Sequence, residues 1–218
     1  MKNKKTAVLA LVIVLFTMNS CIGLSADILV SGDGSGRITL EYRVSQVAEA
    51  LGRLEGNERW QIIPTGRADI ERTVARIPDM RLVSFATRED SRDTINTVVL
   101  EFGNIDALLF FLDSSGGRAF LSRENGGNRL SIAVMDGSHG VMDAALLDLV
   151  RQISQGYEFN LSFSAAGGSA LALSDGGGNA LEAPPGARLV AAGARVSFAM
   201  ATADILEQRQ GLTVNLTW

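Results

Sequence analysis

The chain has 218 residues, of which 46% are hydrophobic and 20% charged, and its formal net charge is −4. A chain of this length can bury enough apolar surface to fold without disulfide bonds or a structural metal. The acidic balance and the lack of any arginine or lysine cluster beyond residue 5 argue against a nucleic-acid partner, which requires a basic patch.

Residues 1–20 have the pattern of a secretory signal peptide. All three lysines lie within the first five residues, and residues 7–16 (AVLALVIVLF) are apolar throughout. A basic segment followed by about 7–15 apolar residues is typical of such signals. An apolar helix of this length rises only about 15 Å, about half of the hydrocarbon core of a bilayer. The segment therefore predicts a cleaved signal, whose removal lowers the formal net charge from −4 to −7 because the three lysines are lost.

Met18-Asn19-Ser20-Cys21, which follows the apolar segment, resembles the lipobox of bacterial lipoproteins. Cys21 is the only cysteine in the chain. The resemblance implies that Cys21 becomes the first residue of the mature protein, with a diacylglyceryl group on its sulfur. It also implies a protein anchored to a membrane of the bacterial cell envelope. Ile22 stands where an aspartate would favour the inner membrane, so the outer membrane is slightly favoured.

A second interpretation is conventional cleavage after Ala26, at Leu24-Ser25-Ala26. Leu24 stands at a position where a small residue is usual. The exported chain would then lack residues 22–26 and contain no cysteine. Both cleavage sites remain open at the level of sequence.

The remaining sequence alternates predicted strands with predicted helices. Three hairpins are expected, over residues 27–44, 80–102 and 118–135, and the first is closed by the glycine-rich turn at 32–36. Apolar residues at helical spacing predict four helices, over residues 44–54, 68–77, 105–112 and 141–153. Asn104 is positioned to cap the third helix, and Pro78 to end the second.

This element order predicts an α+β fold, an antiparallel sheet with helices on one face. Residues 37–123 match the ferredoxin-like, split βαβ order. Alternatively, the chain forms three hairpin-plus-helix units at 27–56, 80–115 and 118–155. Residues 157–218 predict an all-β C-terminal segment, so the expected divisions are a signal peptide at 1–20, an α+β domain at 21–156 and a β-rich segment or subdomain at 157–218.

The C-terminal segment carries a further resemblance. GYEFNLSFSAAGG at 156–168, an Asp-Gly turn at 175–176, ARVSFAM at 194–200 and the terminal Trp218, together with Cys21, resemble the plan of LppM-like envelope lipoproteins. That resemblance implies a non-enzymatic envelope domain that binds a lipid or a glycolipid.

The densest apolar run after the signal lies in the predicted helix 105–112. Its apolar side chains cover more than one stripe of the helix, which is typical of a helix buried on most sides. The alternative is an apolar surface for a lipid or an envelope protein partner. That candidate surface comprises Ile105, Leu108, Leu109, Phe111 and Leu112.

Catalytic signals are sparse. The single histidine, His139, follows Ser138 in a glycine-flanked loop, and a Ser/His hydrolase would also need an orienting acid. One histidine and one lipid-modified cysteine cannot supply a zinc site, so we expect no metal and no cofactor. The sequence thus predicts a lipid-anchored envelope protein with a non-catalytic binding or structural role, and the alternative is an envelope hydrolase with a carboxylate or Ser/His site.

Overall fold

The computed structural model describes residues 22–46, 66–113, 117–124, 127–137, 148, 151–152 and 154–218. Within these residues the fold is α+β and strand-rich, with two sheets, which agrees with the predicted class at that level. The predicted helix 44–54 does not begin at Val44, because Val44 and Ser45 belong to a strand; its residues 47–54 and most of the predicted helix 141–153 lie outside the described residues. So do the predicted signal peptide and Cys21.

Seven strands form the larger sheet, in the order β10-β11-β7-β1-β2-β4-β3. They are β1 (Ile22–Val30), β2 (Gly36–Ser45), β3 (Met80–Glu89), β4 (Asp93–Phe102), β7 (Glu158–Ala165), β10 (Arg188–Ala192) and β11 (Arg195–Ala201). The predicted hairpins β1–β2 and β3–β4 are both present. The second hairpin covers residues 80–102 as predicted, whereas the first extends beyond its predicted bounds, since β1 begins at Ile22, five residues before the predicted start.

Five strands form the smaller sheet, in the order β5-β6-β12-β8-β9. They are β5 (Ala119–Glu124), β6 (Gly127–Met135), β8 (Ala170–Ser174), β9 (Ala180–Leu181) and β12 (Leu212–Thr217). The third predicted hairpin is β5–β6. Buried and partly buried residues alternate along β12, where Leu212, Val214 and Leu216 are fully buried.

The complete ferredoxin-like order is not confirmed. Strands β2, β4 and β3 do follow the split βαβ order, with β4 between the other two. However, β5 pairs in the smaller sheet, and β1 takes the place beside β2. The larger sheet is also not purely antiparallel, because β1 and β7 run parallel. A parallel pair joins strands far apart in sequence, so no local turn signal indicates it.

The C-terminal residues 157–218 contribute strands to both sheets. The segment is not all-β, because the short helix α3 (Thr202–Leu206) follows β11 directly. Strands β8, β9 and β10 were not predicted. All five residues of β10 are exposed, so this edge strand has no buried face to produce an alternating pattern.

Two further helices precede and follow the β3–β4 hairpin in sequence. Helix α1 (Arg67–Val74) buries Ile70 and Val74, and Ile77 beyond its end is also buried, as the spacing predicts. Helix α2 (Ile105–Leu112) begins after Asn104, whose side chain accepts a hydrogen bond from the Ala107 N–H at 2.9 Å.

The inner faces of the two sheets share one hydrophobic core. Phe163 of β7 is fully buried, and its ring lies 5.0 Å from that of Trp218, which follows β12. Residues of both sheets belong to the same cluster of buried side chains, among them Ile28, Ile38, Leu100, Phe198, Leu130, Leu173 and Val214. Burial of these apolar side chains is the main force that holds the sheets together.

Candidate functional site

Helix α2 carries the five residues of the predicted apolar surface. Leu108 is fully buried and belongs to the core, so its assignment to a surface is wrong. The apolar side chain that the helix exposes is Phe110, with 49% of its surface accessible, and it is not among the five. The other four predicted residues are partly buried and pack against the core: Ile105, Leu109, Phe111 and Leu112.

The residues predicted for the anchor and for the hydrolase alternative lie outside the described part of the chain. These are Cys21, Ser138 and His139. The assignments of a lipid-modified cysteine and of a Ser/His pair therefore both remain predictions. Among the described residues, no group of three or more histidine, cysteine or acidic side chains could hold a metal ion.

An open cavity of about 750 Å³ lies at the end of the larger sheet where β1 turns into β2. Arg37 and Arg81 lie on either side of Glu101, their common cross-strand partner in β4. Arg37 Nη2 donates a hydrogen bond to Glu101 Oε1 at 2.7 Å, and Arg81 Nη2 donates to Oε2. The hydrogen bond from Arg37, followed by the nearby positive charge of Arg81, holds the pKa of Glu101 below its usual range.

The same cavity also has apolar walls and a second carboxylate. Leu29 is 54% exposed there, beside Met80 and the edge of Phe102. The carboxylates of Asp79 and Glu101 together balance the two arginine charges of the lining. Asp79 Oδ2 accepts a hydrogen bond from Asn104 Nδ2 at 2.9 Å. A lining with both signs of charge and an exposed leucine can contact a ligand that has a polar part and an apolar part. Because its charges balance, the lining does not favour ligands of one net charge over the other.

Gly36 is essential to the shape of this cavity. A Cβ atom at this position would lie 2.0 Å from the Leu29 carbonyl oxygen and 2.4 Å from Phe102 Cζ. Only glycine lets β1, β2 and the Phe102 ring approach this closely.

A shallow groove of about 590 Å³ follows the outer face of the smaller sheet. Three polar side chains cross it as a ladder, in which Ser131 Oγ donates to Asn215 Oδ1 at 2.7 Å and Asn215 Nδ2 donates to Ser174 Oγ at 2.9 Å. The ladder links β6, β12 and β8 side to side. Phe120, 56% exposed, also lines the groove.

A buried polar cluster lies at the opposite end of the larger sheet from the cavity. Tyr157 is 2% exposed, and its hydroxyl donates a hydrogen bond to Asp93 Oδ1 at 2.5 Å. The Arg92 guanidinium stacks on the Tyr157 ring, 4.6 Å from its centroid, and donates to the Gln155 carbonyl at 2.6 Å. No local sequence pattern indicates this cluster, which ties the β3–β4 turn to the start of β7.

We expect the Tyr157–Asp93 contact to make the stability fall at alkaline pH. Burial and the hydrogen bond to Asp93 raise the pKa of Tyr157 to about 12. Above about pH 10 the unfolded chain loses the tyrosine proton while the folded chain keeps it, so stability declines as the pH rises from about 10 to 12. Tyr157→Phe should lower the free energy of unfolding at pH 8 by about 1–3 kcal/mol, because Asp93 loses the hydrogen bond from the tyrosine hydroxyl. Urea unfolding measures the difference.

The same variant should lose less stability than the wild type between pH 8 and 11. Burial also raises the pKa of Tyr42 to about 12, so Tyr42→Phe is the matched variant. The stability of the double variant, with both tyrosines replaced, should depend least on alkaline pH. Equal pH dependence of the wild type and the double variant would contradict this account.

Comparisons with known proteins identified no protein similar to this chain. Neither a scan of protein-family models, nor a search of curated proteins, nor a search of solved structures found a match. None of the helices in the described ranges has the length and apolar character needed to cross a membrane.

Proposed function

We propose that this protein is a lipid-anchored component of the bacterial cell envelope, acylated at Cys21, and that its role is binding or structural. Its partner would be a lipid, a glycolipid or another envelope protein. The observation that carries the proposal is the start of β1 at Ile22, the residue directly after Cys21.

The pairing of β1 supports cleavage before Cys21 over cleavage after Ala26. Ile22 to Ala26 pair with the second half of β2, and Leu24 to Ala26 also pair with β7. Cleavage after Ala26 would remove more than half of a strand that lies between two others. Cleavage before Cys21 leaves β1 intact.

The described carboxylates whose pKa is shifted stay ionised near neutral pH, which does not suit these groups to the role of a general acid. A general acid near neutral pH needs a raised pKa. Here hydrogen bonds from arginine or from turn residues hold the pKa of several carboxylates below the usual range. They are Asp33, Asp90, Glu101 and Asp175.

Substitution of Cys21 tests the anchor. We expect the wild type to stay with membranes through high-salt washes and to be released by detergent, because two or more acyl chains give stable anchoring. Cys21→Ala should leave the membrane fraction or accumulate as the unprocessed precursor. Ser20→Ala, which keeps a small residue before the cysteine, is the control and should remain membrane-bound. A Cys21→Ala protein that is processed and still remains with the membranes after high-salt washes would refute the proposal.

A further inference from the structure

The separation between Cys21 and the larger sheet is a single peptide unit. Ile22 is already paired with Val44, and Leu24 is paired on both sides, with Tyr42 and with Phe159. One residue spans at most about 3.6 Å. A lipid on Cys21 would therefore have almost no slack between the bilayer and the first strand.

We propose that the Ile22 end of the larger sheet rests on the lipid headgroups, and that the cavity lined by Arg37, Arg81 and Glu101 faces away from the anchoring membrane. This inference rests on the proposed acylation of Cys21. The surface at the membrane is the end of the sheet that holds Val44, Asp93 and the β3–β4 turn, because these residues lie level with Ile22 in the strand register.

The length of β1 sets the height of the cavity above the membrane. Leu29, at the cavity, lies seven residues along the strand from Ile22, and a strand rises about 3.3 Å per residue. When the strands stand upright on the membrane, the cavity therefore lies about 23 Å above Ile22. That height exceeds the Debye length of about 8 Å at physiological salt, so headgroup charges have little influence there.

The outer face of the larger sheet favours the upright orientation over one in which the domain lies flat. It carries ion pairs, among them Arg195–Asp27 at 3.1 Å, which reaches from β11 across β7 to β1, and Arg43–Glu41 at 3.2 Å within β2. Contact of this face with the bilayer would strip water from these charges at considerable cost. A ligand of the cavity would then arrive through the aqueous space rather than by diffusion within the anchoring bilayer.

Two matched cysteine variants test this orientation in the full-length protein. Ser31 lies in the β1–β2 turn beside the cavity, and Ser91 lies in the β3–β4 turn at the other end; both are exposed. With Cys21 acylated, Ser31→Cys or Ser91→Cys would be the only free thiol, which is labelled with a fluorophore. The processed protein is then reconstituted into vesicles of phosphatidylethanolamine and phosphatidylglycerol that carry headgroup nitroxide quenchers.

We expect the label at position 91 to be quenched several-fold more strongly than the label at position 31. Insertion of about ten Gly and Ser residues between Cys21 and Ile22, with an end-to-end distance of about 17 Å, should reduce the quenching at position 91. Equal quenching at both positions, or none at either, would overturn the orientation. Intact mass of the same preparation separates the two proposals, since an acylated protein with equal quenching refutes only the orientation, whereas an unmodified Cys21 refutes the anchor as well.

Discussion

A chain that begins at Asp27 is expected to be far less stable than one that begins at Ile22. The shorter chain loses the backbone hydrogen bonds of residues 22–26 to β2 and those of residues 24–26 to β7. It also loses Leu24 and Ala26, which pack against the core. At a net value of about 1 kcal/mol for each lost hydrogen bond, the free energy of unfolding should fall by about 4 kcal/mol or more.

Such a loss is a large fraction of the whole stability of a typical domain, about 5–15 kcal/mol. Urea unfolding followed by circular dichroism, on both chains made without the signal segment, measures the difference. An unchanged midpoint would show that the fold tolerates cleavage after Ala26, and would remove the main structural support for cleavage before Cys21.

Phe163→Ala should produce one of the largest losses of stability expected from a single substitution in the described residues. The side chain is fully buried between the sheets, in contact with Trp218. Truncation of a buried phenylalanine leaves a cavity and costs about 3–5 kcal/mol. Denaturant midpoints measure the effect.

Phe120→Ala is the matched control, because the same atoms are removed from a side chain that is 56% exposed. Its free energy of unfolding should change by no more than about 0.5 kcal/mol. Equal midpoints for the two variants would contradict the assignment of Phe163 to a core shared by both sheets.

The elements that the sequence predicts well are those whose signals are local. Each of the three hairpins joins neighbouring strands, and polar or glycine-containing turns mark where the chain reverses. Helix α2 begins where Asn104 supplies a side-chain acceptor, and helix α1 buries the face that its apolar spacing defines.

The sheet order depends on contacts between residues far apart in the chain, which no local pattern encodes. Ile28 and Phe163 become partners only because β7 returns beside β1. The cluster of Tyr157 and Asp93 likewise joins residues 64 positions apart. Turn and periodicity signals indicate that strands exist at both places, but not that they meet.

The exposed side of helix α2 could not be predicted for a different reason. The run LLFFL contains no polar residue, so several rotations of the helix are equally consistent with its composition. Packing against β4 and β5 selects the rotation that buries Leu108 and exposes Phe110. Similarly, the arrangement of Arg37, Glu101 and Arg81 depends on strand register, which became visible only with the pairing of β2, β4 and β3.

The most direct test of the account is the intact mass of the mature protein purified from the membrane fraction. We expect an N-terminus at Cys21 with the added mass of a diacylglyceryl group, and loss of that mass in Cys21→Ala. A mature chain that begins at Asp27, or one that begins at Cys21 with no added lipid, would contradict it.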